Sequence, residues 1–222
     1  MTLHIGMLLY PGLTQLDLTG PYEVLHRLPD SQVHLVWKEA GPIEADSGIR
    51  LYADTSFARC PPLDVVFVPG GFGQIDLMGD AVVLDFLKKH AHNARYVTSV
   101  CTGALLLGAA GLLEGYDATT HWAFHDMLSA FGAKPKQARV VVDRNRVTGG
   151  GVTAGIDFGL RLVAELAGET LAKTIQLALE YDPKPPFDCG HPRVADPEIV
   201  AIAMRQMEER RAARQAQLPN AK

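Results

Sequence analysis

The stretch Tyr96-Val-Thr-Ser-Val-Cys-Thr-Gly-Ala-Leu-Leu-Leu-Gly-Ala-Ala-Gly-Leu-Leu113 limits the possible folds more than any other part of the chain. It opens as a β-run, Tyr96 to Val100, and passes abruptly into an Ala/Leu-rich helical run, Ala104 to Leu113. Cys101 sits on the joint. A sharp strand-to-helix turn crowds the residues beside its apex, so small residues are needed there. Ser99 lies two positions before Cys101 and Gly103 two after. This spacing predicts a nucleophile elbow with Cys in place of Ser. The following helix would aim its free N–H groups and positive dipole end at the sulfur, lowering the thiol pKa. The structural alternative is that Cys101 is a small buried hydrophobe, as free cysteines usually are.

The remaining segments alternate between strand and helix. Leu3 to Tyr10 is a nearly continuous apolar run of the buried parallel-strand type. Pro11-Gly12 breaks it, and Leu13 to Gly20 reads as a loop. Pro21 suits the first turn of a helix running to about Leu28. Asp17 is thus expected in the loop at the carboxyl end of the first strand, shaping the turn or facing a site. Val33–Trp37 predicts a second strand, and Gly41–Gly48 a hairpin or connecting turn. Leu51–Phe57 has no clear period. Asp64–Val68 is another buried strand, closed by Pro69-Gly-Gly-Phe-Gly73. Glycines at a strand end let backbone approach a ligand and can form an anion-binding nest. Their spacing fits neither a P-loop nor a dinucleotide fingerprint.

A helix is expected over Asp80–His92, with Val82, Val83, Phe86, Leu87 and His90 on its apolar face. Another helical run ends at Phe131, after the link Ala118–Trp122. Val140–Val147 reads as two short strands joined at Asp143–Asn145. Thr148–Gly155 is a glycine-rich loop, either a mobile hinge or a tight approach. Helices over 156–166 and 170–181 follow. Tyr181-Asp-Pro-Lys-Pro-Pro-Phe187 cannot be helical and is expected to strap the surface. A last helix, Asp196 to about Gln217, would turn Ile199, Ile202 and its methionines inward. Its Glu208–Arg214 charge run reads as a solvated face or frayed end.

This order predicts an α/β fold, a mostly parallel sheet covered on both faces. Residues 1–222 are expected to form one domain, with 182–222 a strap and helix packed on it. Ligands of such sheets bind beyond the carboxyl ends of the strands. Asp17, Gly70-Gly71 and Cys101 all fall there. A net charge of −4 leaves no nucleic-acid footprint. No apolar run approaches a membrane span, and no basic n-region marks a signal peptide. Cysteines at 60, 101 and 189 form no C-x-x-C pair, so neither a disulfide framework nor a zinc cluster is expected, and a cytoplasmic location is the default.

Three motifs in order, Val68-Pro-Gly-Gly71, Ser99-Val-Cys-Thr-Gly103 and Ala118-Thr-Thr-His-Trp122, resemble the ThiJ/PfpI branch of the class I glutamine amidotransferase-like superfamily. The resemblance covers nearly the whole chain and implies a flavodoxin-like three-layer sandwich. Within the branch, Asp17-Leu-Thr-Gly-Pro21 and Leu177–Asp188 are similar to the isonitrile hydratases. That likeness implies hydration of an isonitrile, R–N≡C, to an N-substituted formamide with no metal or cofactor. It implies Cys101 as nucleophile and Asp17 as both acid and base. Thr102 would position water or Asp17, and N–H groups near Gly70, Gly71 and Thr102 would stabilise developing charge. His121 is a candidate accessory, and Gly150 sits in a loop that would let the next helix shift during turnover. A homodimer is implied, with the strap and last helix as candidate contacts. Family proteases place His directly after the cysteine. Here that residue is Thr102, against a peptidase reading. The alternatives are an oxoaldehyde-acting enzyme of the same branch, a cysteine redox sensor, and a ligand-binding module like those of AraC-type regulators. The first usually pairs its cysteine with Glu rather than Asp. No helix-turn-helix pair follows the last helix, against the regulator reading.

Overall fold

A computed structural model describes residues 2–219. The elements run β1 (Leu3–Leu8), α1 (Gln15–Leu25), β2 (Ser31–Trp37), β3 (Gly41–Glu44), β4 (Arg50–Ala53), β5 (Thr55–Ser56), β6 (Val65–Val68), α2 (Gln74–Leu77) and α3 (Ala81–Ala91). They continue with β7 (Tyr96–Val100), α4 (Gly103–Ala109), β8 (Asp117–Ala118), a 3-10 run (Trp122–Phe131), β9 (Lys134–Pro135), β10 (Val140–Asp143), β11 (Arg146–Gly149), α5 (Ala154–Ala167), α6 (Glu169–Ala178) and α7 (Pro197–Gln215).

Seven strands form the main sheet in the order β10-β11-β7-β6-β1-β2-β5. All neighbours are parallel except β10 and β11. The inner order β2-β1-β6-β7-β11 is that of a flavodoxin-like fold, and the chain reverses direction across the sheet between β1 and β6. β6 is buried at every position, as a central strand covered on both faces must be. α1 packs on α5 on one face, and α3 packs on α4 on the other. The α/β sandwich expected from the sequence is therefore present. β3 and β4 form the expected hairpin, and the unassigned 51–57 stretch supplies β4 and the edge strand β5.

Three local expectations are corrected. Asp17 is not in a loop: it lies in the first turn of α1, and Pro21 stands inside that helix. Proline there forfeits the bond to the Asp17 carbonyl, and its ring lies close against α5, where a Cβ on Gly155 would come within 2.8 Å of Pro21 Cδ. On α3, Val82 is 58% exposed, while Asp80 caps the N-terminus through the N–H groups of Val82 and Val83. On α7 the expected polarity is partly reversed. Ile199 and Ile202 are exposed, and Arg214, from the charge run expected in solvent, is 2% exposed. Its guanidinium lies over Phe124 of the 3-10 run, 4.5 Å from the ring centre.

Candidate active site

Three neighbouring strands deliver the site. β1 leads to α1 and Asp17, β6 ends at Gly70-Gly71, and β7 ends at Cys101. Cys101 has φ +51, in the left-handed region that non-glycine residues rarely enter, and this costs about 1–2 kcal/mol. Three hydrogen bonds hold it there. Its N–H donates to the Gly149 carbonyl at 3.1 Å and the Gly150 carbonyl at 2.7 Å. Its own carbonyl accepts from Thr120 Oγ1 at 2.6 Å. The small residue at 103 is also explained, since a Cβ there would lie 2.1 Å from the Val68 carbonyl oxygen. The turn is the expected elbow. Its helix is shorter than expected and ends at Ala109, just before Gly111 with φ +74.

Asp17 is fully buried. Neither of its oxygens makes a hydrogen bond of good geometry, but the Cys101 thiol and the Gly70 N–H lie close enough to favour its charged form. Burial outweighs them and raises its pKa from 3.8 to about 7. The thiol moves opposite to expectation. Cys101 is 6% exposed, and burial, then the charge of Asp17, push its pKa well up. The Thr102 N–H and Arg214 oppose that rise. The short helix does lend an N–H to the sulfur, but desolvation outweighs it. The carboxyl and the thiol lie within reach of one another, and each affects the other's proton affinity.

Gly70 is the spacer between them. A Cβ at that position would sit 2.6 Å from Thr102 N, 2.7 Å from Asp17 Oδ2 and 2.8 Å from Cys101 Cβ. The Gly71 N–H, expected to receive developing charge, is instead committed to Thr102 Oγ1 at 3.1 Å. That bond also occupies the Thr102 hydroxyl, which braces the β6 loop rather than Asp17. Gly71 has φ +141 and pairs with Leu13 through an isolated β-bridge, tying the β6 loop to the β1 loop.

His121 is buried enough that its pKa falls to about 4, first through desolvation and then through Arg214. Its Nδ1 accepts the Ala123 N–H at 3.2 Å, a capping role. The triple glycine is a tight approach. A Cβ on Gly149 would meet Val100 Cγ1 at 2.9 Å, and one on Gly151 would meet His121 Cδ2 at 2.7 Å. Gly150 has ordinary room and contributes its carbonyl to Cys101. Cys189 is exposed and Cys60 half-buried.

Two residues escaped the sequence reading. Tyr10, fully buried after β1, donates from its hydroxyl to the Pro69 carbonyl at 2.9 Å. Burial, then Asp17 and Cys101, raise its pKa well above the usual value. Arg214 reaches in from the end of the chain. It donates to the Gly71 carbonyl at 2.8 Å, Gln74 Oε1 at 3.1 Å, the Arg210 carbonyl at 3.2 Å and Thr102 Oγ1 at 3.4 Å. The apolar run at β1 hid the tyrosine's role, and only contacts across more than 100 residues reveal the arginine's.

A groove of about 970 Å³ lies next to the elbow, lined by Thr120, His121, Gly150, Gly151 and strap residues including Phe187. The sulfur is not on its wall, but both Thr120 and Gly150 hold the Cys101 backbone.

The DJ-1/PfpI family pattern matches residues 4–165. The chain belongs to the DJ-1/PfpI family. It is 56% identical over 206 residues to an isonitrile hydratase of Pseudomonas putida, covering 93% of this chain and 90% of that one. It is 31% identical over 187 residues to the HTH-type transcriptional regulator GbdR of Pseudomonas aeruginosa, covering 80% of this chain but only 50% of the regulator. Among solved structures, a ThiJ/PfpI family protein from Pseudomonas syringae superposes with TM-score 0.96 at 44% identity, covering 98% of this chain and 91% of that one. The family resemblance drawn from the three motifs is confirmed, and the elbow of this DJ-1/PfpI chain lies within the matched region.

Proposed function

We propose that this protein is an isonitrile hydratase that converts R–N≡C and water to an N-substituted formamide. The observation that carries the reading is the 56% identity, across nearly the full length of both chains, to a hydratase of that name. The buried Cys101–Asp17 pair supports it with suitable chemistry. Asp17, with a pKa near 7, takes the thiol proton as sulfur bonds to the terminal isonitrile carbon, and returns that proton to the same carbon. The product is a thioimidate, R–N=CH–S–Cys101. Asp17, again a carboxylate, removes a proton from water as the hydroxyl adds to that carbon, and passes it to nitrogen. The hydroxyl proton then returns to Asp17 as the C=O forms and the C–S bond breaks. The formamide leaves, and the pair is back to one shared proton.

Each step needs a proton carrier within reach of the reacting carbon, and the buried carboxyl beside the thiol can serve as one. The neutral His121 is not required by this sequence. Asp17 rather than Glu favours the hydratase over the oxoaldehyde enzymes. No helix of the described residues is long and apolar enough to cross a membrane, and the substrate is taken as a small molecule in solution. A cytoplasmic homodimer is part of the same proposal. Exposed Phe187, Val194 and Ile199 on the strap and α7 support that contact face.

The test is formamide production from an aromatic isonitrile by wild type and Cys101→Ala. Turnover confined to wild type is expected. Equal turnover in both would remove Cys101 from the mechanism, and none in either would move the reading to the oxoaldehyde enzymes.

A further inference from the structure

Arg214 is a buried guanidinium with four hydrogen-bond partners, all of them uncharged: two backbone carbonyls, a side-chain amide oxygen and a hydroxyl. Among the described residues, none of the ion pairs includes it. A charge taken out of water without a counter-charge is costly, and such groups normally meet a carboxylate. Arg214 instead binds two residues of the active site. Gly71 follows the Gly70 spacer, and Thr102 follows the nucleophile.

We propose that Arg214, carried in by α7, is a positioning residue for the Cys101–Asp17 pair: it clamps Gly71 and Thr102 and supplies the fixed positive charge against which the pair holds its negative one. This deepens the hydratase reading and rests on it only in taking Cys101 as the nucleophile. At the thiol the electrostatics agree in direction. Burial pushes the Arg214 pKa down, the charges of Cys101 and Tyr10 hold it up, and Arg214 in turn pulls the thiol down. Tyr10, with its hydroxyl on the Pro69 carbonyl, and Asp46, held by Thr14 Oγ1 at 2.6 Å, are the other groups of acidic type near the pair. Arg210, one turn away on α7, and neutral His121 complete the titratable neighbours. Gln74 fits the same picture. It is fully buried, its oxygen accepts from Arg214, and among the described residues its amide nitrogen has no partner. An amide rather than a carboxylate at this point leaves the arginine's charge for the site.

The experiment follows carbamidomethylation of Cys101 by iodoacetamide in the full-length protein across pH, read by peptide mass spectrometry to separate it from Cys60 and Cys189. Arg214→Gln is expected to move the apparent pKa of Cys101 up by about one unit or more, slowing labelling at neutral pH about tenfold. Arg214→Lys keeps the charge but not the fork, and is expected to shift the profile less than half as far. Gln74→Glu, nearly isosteric, gives Arg214 a carboxylate partner and should shift the profile upward without removing a side chain. A folded Arg214→Gln with the wild-type profile overturns the inference, as do equal shifts in the Gln and Lys variants. If Arg214→Gln does not fold, Gln74→Glu decides, and an unmoved profile there overturns it. Labelling uses no isonitrile. A protein without hydratase turnover can still show the shift, and a working hydratase with an unmoved profile loses this inference alone.

Discussion

Asp17→Asn is expected to make the protein more stable and nearly inactive. The carboxyl is fully buried, and its pKa rises from 3.8 to about 7, first through desolvation. The unfolded chain ionises this group first. Stability is therefore fully present below 3.8 and is lost as pH rises through about 7. At 1.36 kcal/mol per pKa unit, a rise of about three units costs the folded state about 4 kcal/mol above pH 7. Asparagine removes that cost but cannot accept from both the Cys101 thiol and the Gly70 N–H while placing its own amide hydrogens. Roughly half, about 2 kcal/mol, should remain as gain, or roughly 4–8 °C in Tm for a chain of this length. The assay is thermal unfolding of both proteins at pH 5 and pH 8, paired with formamide production. The gain should be clear at pH 8 and much smaller at pH 5, with turnover down at least about 100-fold. An Asn variant no more stable than wild type at pH 8 would refute the claim that Asp17 is held against its own ionisation.

The pH profile of kcat/KM should show an acid limb near 7, falling about tenfold per unit below it, because protonated Asp17 cannot take the thiol proton; a profile flat from pH 5 to 8 speaks against the coupled pair. Gly70→Ala places a methyl group 2.7 Å from Asp17 Oδ2 and 2.8 Å from Cys101 Cβ, and should lower kcat by about 100-fold or more; wild-type steady-state kinetics would show that the pair does not need this separation. Thr120→Val removes the bond to the Cys101 carbonyl and should lower stability by about 1 kcal/mol in denaturant unfolding, with slower Cys101 labelling; no change in either would mean the elbow does not rely on it.

The parts of this protein legible in its sequence are those with a local physical signature. Continuous apolar runs mark β1 and β6, and the Ser99–Gly103 spacing marks the elbow, because sterics at a sharp turn act on adjacent residues. Asp17 does lie at the carboxyl edge of the sheet, but on α1 and not in the loop its sequence predicts. Pro21 signals a helix start by propensity, yet here close packing on α5 tolerates it inside the helix. The thiol runs against the sequence expectation for a related reason: the sequence shows the helix that follows but not how deeply the turn is buried. Gly71 and Thr102 stand out in the sequence by their motifs, but what they do depends on a hydrogen bond between residues 31 apart. Arg214 had no local signature. In a run of arginines and glutamates, only tertiary contacts decide which one turns inward.

Three unfavourable features meet at one end of this sheet: a left-handed Cys101, a buried Asp17 without a firm hydrogen-bond partner, and a buried Arg214 without a carboxylate. Each alone would be selected against in a purely structural interior, and each has an easy remedy by one substitution. Glycine at 101 would relieve the backbone, asparagine at 17 the charge, and glutamate at 74 would pair the arginine. In the proposed mechanism all three remedies would damage the same chemistry, by removing the proposed nucleophile, removing the proposed proton carrier, or neutralising the charge proposed to hold the pair. Strain of this kind persists where the rest of the fold over-determines it. Here the buried sheet does so, together with the Cys101 N–H bonds to the Gly149 and Gly150 carbonyls, the bond from Thr120 to the Cys101 carbonyl, and the contacts of α7. The convergence of these costs on Cys101, rather than any one of them, is what supports the proposed active site over a well-packed elbow.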